Sequence, residues 1–216
     1  MTIRRTQEER SATTRRLLLD ATVECLVKHG YAGTTTTRVS ELAGVSRGAQ
    51  VHHFATKDEL VVAAVRHLAE QQAQVVLTRP DILAGSADPV GDALELIWQA
   101  HQGPTFDAAI ELWVAARTDP DLREATAAFE RALTARFLEV AGILFGPRVT
   151  GLPDFQPRLL TALEAIRGLR MVSFLHPHPS ARLDERWQRS KALLRPLFEF
   201  EDAEPMGGGA AASREI

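Results

Sequence analysis

Between residues 34 and 54 the chain reads TTTTRVSELAGVSRGAQVHHF, two short helical patterns set back to back around one glycine. No other stretch constrains the fold as tightly. The hydroxyls of Thr34 to Thr37 can cap a helix whose Val39, Leu42 and Ala43 share a face, and Gly44 supplies a left-handed residue to end it. Ser46 can then cap a second helix running to about His53. Helices shorter than about 12 residues are marginal in water because nucleation is costly. The pair must therefore pack on each other and on longer neighbours. The second helix, RGAQVHH, has almost no apolar face, so most of its surface stays free. A helix-turn-helix over residues 35–54 accounts for this, because its second helix turns that free surface to the major groove of DNA. Arg47, Gln50, His52 and His53 can all donate to base edges or phosphates, while Gly48 and Ala49 are small enough to let the backbone come close.

The neighbouring stretches supply the partners. Over residues 14–29, Leu18, Thr22, Cys25 and Leu26 fall at i, i+4, i+7 and i+8, one stripe of an amphipathic helix closed by Gly30. The run Thr56-Lys57-Asp58-Glu59 is a capping box that opens a long fourth helix carrying Leu60, Ala64, Leu68 and Val75 on one side. Residues 78–92 lose periodicity and gather Pro, Gly and Asp, which marks a loop. Four or five further helices follow, at about residues 89–102, 105–118, 120–145, 155–176 and 181–200, with Pro104, Pro120 and Pro157 at predicted starts. The expectation is an all-α chain of about nine helices. A three-helix head at 14–60 precedes a helical body at 61–200, between a flexible basic arm at 1–13 and a disordered tail at 201–216.

Composition narrows the function. A chain of 216 residues, 45% hydrophobic, can bury a substantial core. Its net charge of −3 argues against a nucleic-acid partner until it is divided. Residues 1–60 carry 9 Lys and Arg against 7 Asp and Glu, and the rest carry 16 against 21. Arg4, Arg5, Arg10, Arg15 and Arg16 read either as an arm toward phosphates or as a solvated tail. No run nears the roughly 18 apolar residues of a membrane span and the start has no apolar leader, so a cytoplasmic protein with no membrane partner is expected. Cys25 has no second cysteine to pair with. Adjacent His52 and His53 point about 100° apart on a helix, and no His pair at i, i+4 occurs, so no metal site is expected. His176-Pro177-His178 reads as a rigid connection. There is no Gly-rich phosphate loop, no βαβ pattern and no recognisable spacing of nucleophile, base and orienting group, so neither a cofactor nor a catalytic residue is expected.

The segments LLDATVECLVKHGY, TTTTRVSELAGVSRGAQVHHF and TKDEL together resemble the amino-terminal domain of the TetR family of bacterial one-component repressors. The resemblance covers about 45 to 50 residues, by its ordered motifs of Gly-Tyr corner, Gly-Val-Ser turn, His-Phe and Lys-Asp-Glu-Leu. It implies a homodimer with a three-helix DNA-binding head, a connecting fourth helix and a divergent helical body that binds an inducer. Thr36, Thr37 and Arg38 then match phosphate-contacting positions, as does Lys57 at the start of the fourth helix. Arg47, Gly48, Ala49, His52 and His53 match the DNA-facing side of the recognition helix. Where the family most often has Leu-Tyr this chain has Gln50-Val51, which removes a backbone-contacting hydroxyl. Val51 is left to pack on a thymine methyl, and Gln50 has two readings, a buried hydrogen-bonded group or a reader of adenine.

In the body, Trp98, His101, Phe106, Trp113 and Arg117 recur on the fifth and sixth helices, with Phe129, Phe137, Met171 and Phe174 available opposite. They read either as plain core or as an apolar cavity in which His101 and Arg117 orient a ligand between Trp98 and Trp113. On the last two helices, Leu159, Leu163, Ile166, Arg170 and Phe174 form one stripe and Trp187, Leu194, Leu197 and Phe198 another, with Gly168 allowing close approach. The resemblance implies that this pair forms a two-fold dimer interface. The expected function is a homodimeric repressor that binds a palindromic double-stranded operator and is released by a small, largely apolar effector. A helical small-molecule-binding protein or enzyme with a vestigial head is the alternative.

Overall fold

A computed structural model of the chain describes residues 6–77, 83–175 and 180–199. Among them stand nine α-helices, one short 3-10 helix and no strand. Helix α1 (Gln7–Gly33) begins earlier than the apolar pattern predicts. Thr6 Oγ1 accepts from the Glu9 amide at 3.2 Å and Glu9 Oε2 accepts from the Thr6 amide at 2.8 Å, a complete capping box. Residues 7–13, expected in a flexible arm, are therefore the first turns of this helix, and Arg10, Arg15 and Arg16 ride on it. The stripe Leu18, Thr22, Cys25 and Leu26 is fully buried, and the Thr22 hydroxyl is satisfied by donating to the Leu18 carbonyl at 2.6 Å. The regular helix breaks at Gly30, whose φ of 64° and ψ of 178° lie where a side chain is scarcely tolerated.

Helices α2 (Thr36–Ala43) and α3 (Arg47–His53) form as their caps dictate. Thr35 Oγ1 accepts from the Arg38 amide at 3.2 Å, and Ser46 Oγ accepts from the Ala49 amide at 3.2 Å. Between them Gly44 is left-handed, with φ 65° and ψ 30°, and the Val45 amide donates back to the Ser40 carbonyl at 3.0 Å. Of the expected face of α2, Val39 is buried and Ala43 packs against the head core, but Leu42 is exposed and Ser40 is buried instead. Ser40 tolerates burial because its hydroxyl donates to the Thr36 carbonyl at 2.8 Å.

Helix α4 (Lys57–Leu77) joins head to body. Its start is capped by Thr56, which accepts from the Glu59 amide at 3.1 Å, while Glu59 reaches back to the Ala55 amide at 2.9 Å. Leu60 and Ala64 close the core of the head with Leu18, Leu19, Cys25, Val39 and Phe54. Val61 and Val65, one position on, belong to a second core with Leu26, Leu112, Leu122 and Phe129. The division between head and body thus runs lengthwise along α4.

The body comprises α5 (Pro89–Ala100), α6 (Pro104–Ala116), α7 (Pro120–Thr150), α8 (Phe155–Ser173) and α9 (Ser180–Leu194), with a 3-10 turn at Arg195–Phe198. Proline opens α5, α6 and α7, where its missing amide leaves no bond unmade. Helix α7 runs past its expected end at residue 145 through a kink at Gly146 (φ 72°, ψ 171°), followed by Pro147. A third core gathers α5, the end of α7, α8 and α9. There Trp98 stacks on Trp187 with ring centroids 4.7 Å apart, and the Trp187 indole and Lys191 ammonium both donate to Glu95 Oε2 at 2.9 Å. Burial alone would raise the Glu95 pKa, but these donors outweigh it and hold the carboxyl below its ordinary value. Arg4, Arg5, His176-Pro177-His178, part of the 78–92 loop and the 201–216 tail lie outside the described residues.

Candidate functional site

The head offers an outward surface built on α3. Arg47, Gly48, Val51 and His52 are exposed, Ala49 and His53 half-buried. Beside them Thr37 and Arg38 are exposed and Thr36 half-buried at the start of α2, and the Arg38 guanidinium is anchored by donating to the Gly33 carbonyl. Lys57 is less free: its ammonium sits 3.7 Å from the centroid of the Tyr31 ring, and burial lowers its pKa. The Tyr31 hydroxyl in turn donates to Asp58, and burial followed by that carboxylate pushes its own pKa up. Burial, then the neighbouring His52 and Arg15, lowers the His53 pKa, so its ring tends to the neutral form.

Gln50 does not belong with the DNA-facing residues. Its side chain is 1% exposed and its Nε2 donates to the Phe54 carbonyl at 2.7 Å, across the end of α3. The bond satisfies a buried amide and caps a helix carbonyl, which leaves Gln50 as a structural group of the head.

The body holds a cavity of about 140 Å³. Val65, Ala69 and Ala73 of α4 form one side, and α5, α6, α7 and α8 contribute the rest. Of the residues expected there, His101, Phe106, Trp113, Phe129 and Phe137 line it. Their rings form an arc: His101 meets Phe106 edge-on at 5.2 Å, and Phe106 meets Trp113 at 6.1 Å. The ring Nδ1 of His101 lies 2.7 Å from the Ile97 carbonyl, and burial pushes its pKa down to about 4, so it is neutral near neutral pH.

Three expected ligand residues stand elsewhere. Trp98 is spent in the stack with Trp187, Arg117 is exposed at the end of α6, and Phe174 is half-exposed beyond α8 with the Arg170 guanidinium 5.1 Å from its ring. Conversely, Thr105 and Arg167 line the cavity without having been singled out. Arg167 follows Leu163 by four positions on a stripe that otherwise reads as core, and that one charge was the available signal.

The stripes expected at a dimer interface face inward. Leu159, Leu163, Ile166, Trp187, Leu194 and Phe198 are buried in the chain's own third core, with Leu197 packed against it. Arg170 is also internal: its guanidinium donates to the His101 carbonyl at 2.7 Å, Ser173 Oγ at 2.8 Å and Asp107 Oδ1 at 2.9 Å, tying α5, α6 and α8 together. An apolar stripe records only that a face is covered, and here the cover is the same chain. The outward face of α8 instead carries Ala165, Gly168, Met171, Val172 and Leu175, at helical spacing and exposed.

Residues 18–64 match the family model described as bacterial regulatory proteins, tetR family. The chain is 35% identical over 173 residues to the HTH-type transcriptional regulator CymR of Pseudomonas putida, covering 79% of this chain and 84% of CymR. It is 31% identical over 125 residues to the HTH-type transcriptional repressor AcnR of Corynebacterium diphtheriae, covering 58% of this chain and 62% of AcnR. Its fold is that of the multidrug binding protein EbrR in its ethidium complex, with a TM-score of 0.59, 23% identity and coverage of 85% of this chain and 97% of EbrR.

Proposed function

Because this chain belongs to the TetR family of bacterial transcriptional regulators, we propose that it acts as a homodimeric repressor that grips a palindromic operator and lets go when a small, largely apolar molecule fills the cavity of its body. One observation carries the reading: α4 is shared. Leu60 and Ala64 sit in the core of the head, while Val65, Ala69 and Ala73 of the same helix form a wall of the cavity. A ligand that preferred a displaced α4 would reposition the head, and the coupling could equal only its differential affinity for the two arrangements.

A second link runs through α6, which lines the cavity with Phe106, Ala109 and Trp113. Glu111 of that helix accepts from the Tyr31 amide at 3.2 Å, at the corner where α1 ends. The outward face of α8 supports a dimer, because small Ala165 and Gly168 beside exposed Met171, Val172 and Leu175 permit close helix packing. Two heads would then address half-sites about 34 to 36 Å apart. On the DNA, Arg47 and His52 are the readers, Val51 a methyl contact, and Thr36, Thr37, Arg38 and Lys57 hold phosphates.

The test is a titration of the full chain against a duplex from its own upstream region, over a range of salt. Specific binding with a two-fold symmetric footprint is expected, with Arg47→Ala costing about 1 to 3 kcal/mol and relaxing specificity at the base it reads, and Arg38→Ala lowering the salt slope by about one. Affinity no better than for random duplex would overturn the reading in favour of a small-molecule-binding protein with an inert head.

A further inference from the structure

The described residues contain four buried side-chain polar atoms with no hydrogen-bond partner, and three of them, Thr105 Oγ1, Trp113 Nε1 and Arg167 Nε, belong to residues that line the cavity of the body. Two are obligate donors, since neither an indole nor a guanidinium can accept. They are also neighbours: the Arg167 guanidinium carbon lies 5.1 Å from the centroid of the Trp113 ring. Thr105 stands eight positions before Trp113 on α6, about 12 Å along the helix axis, so it cannot share the same bonded group.

Charge adds to the case. The lining includes Arg136, Arg167 and His101, and no aspartate or glutamate. Arg136 is paired with Glu139, next to the wall. Arg167 donates one Nη to Glu130 at 3.4 Å and feels the charge of Glu164, three positions back on α8, while its side chain is mostly buried and its Nε makes no bond. Burial outweighs both carboxylates and lowers its pKa, so an anion reaching the unbonded Nε would stabilise the charged form. The remaining wall is apolar, from Val65, Ala69, Leu96, Ile97, Phe129 and Leu144 among others.

We infer that the cavity is built for a small carboxylate with an apolar body, its anionic oxygens bound at the corner where Arg167 Nε and Trp113 Nε1 lack partners and its hydrocarbon part lying against Phe106, Phe129 and the α4 wall. Guanidinium presents its donors as a planar fork matched to a carboxylate, and the Trp113 ring beneath it fixes the orientation. A cavity of about 140 Å³ compares with the roughly 150 Å³ space that holds benzene in an engineered protein, so the body is about one ring or a short branched chain. A cationic ligand would meet two arginines and no carboxylate. This assignment rests on the proposed ligand-responsive regulator and names the chemistry its cavity accepts.

The experiment is calorimetric titration of the full-length protein, without DNA, with benzoate, benzamide and benzylammonium, and with hexanoate and hexanamide as a flexible pair. At least one carboxylate is expected to bind about tenfold or more tightly than its amide, with no measurable binding of benzylammonium. Arg167→Met should bring carboxylate and amide to equal affinity, and Trp113→Phe should reduce the ratio several-fold while keeping the ring. If Arg167→Met fails to fold, Arg167→Lys serves instead, because a point charge on a flexible stem should retain only part of the preference. Amides or the ammonium binding as tightly as the carboxylates, silence from all five probes, or a ratio unchanged in the variants would each overturn the assignment. Operator release is measured separately with the same ligands. Carboxylate binding that leaves DNA affinity unchanged would refute induction while sustaining the cavity assignment, and release by a neutral ligand alone would do the opposite.

Discussion

Replacing Arg170 by Met should unpin the body without touching assembly. The guanidinium makes three bonds inside the chain, to the His101 carbonyl, Ser173 and Asp107, and its side chain is 10% exposed. Methionine keeps most of the volume but leaves Asp107 and a helix-end carbonyl without their donor. Removing one partner of a buried pair commonly costs about 3 to 5 kcal/mol. Asp107 is 33% exposed and can recover some hydration, which places the expected cost near the lower bound, about 3 kcal/mol. Against a total stability of about 5 to 15 kcal/mol that is a large fraction. For a domain of this size it corresponds to a fall in melting temperature of about 6 to 12 °C. The assay is urea and thermal unfolding followed by helical circular dichroism, at low and high protein concentration, with sedimentation to read oligomeric state. A loss below about 1 kcal/mol, the level of an exposed ion pair, would refute the staple. So would a variant whose native form dissociates into subunits while each retains its folded stability, since that is the signature of an interface residue.

Gly30→Ala should destabilise the junction of head and body by about 1 to 3 kcal/mol, because the backbone there is at φ 64° and an added Cβ would stand 2.9 Å from Glu111 Oε2. Denaturant midpoints check it, and an unchanged midpoint would show that the corner relaxes freely. His101 makes stability depend on pH. Its folded pKa of about 4 lies below the unfolded value of 6.5, so between those values the unfolded chain binds the extra proton and the native state loses ground as pH falls. The loss begins near pH 6.5, totals about 3 kcal/mol and levels off near pH 4. His101→Gln should flatten that part of the stability curve, and an equally steep decline in the variant would assign it to other groups.

The sequence alone determined the features that depend on a few consecutive residues. Thr35 and Ser46 cap their helices, Gly44 turns left-handed between them, and prolines open α5 to α7, because the backbone preferences and orphan amides involved are satisfied within one turn of chain. The capping box at Thr6 and Glu9 was equally legible in TQEE, but reading those residues as a basic arm obscured it. What only the tertiary structure decided is the use to which each covered face is put. Gln50 in the sequence was a reader or a buried group, and packing against the head with its amide on Phe54 made it the latter. Leu163 and Ile166 promised a subunit interface and were taken by the chain's own core, while Trp98 went to a stack and Trp113, fifteen residues later, to a cavity wall. Burial drives all of these by the same nonspecific withdrawal from water, so an apolar stripe signals that something will cover it. Whether the cover is the same chain, a second copy or a ligand depends on contacts between residues far apart in sequence, and those exist only once the helices have packed.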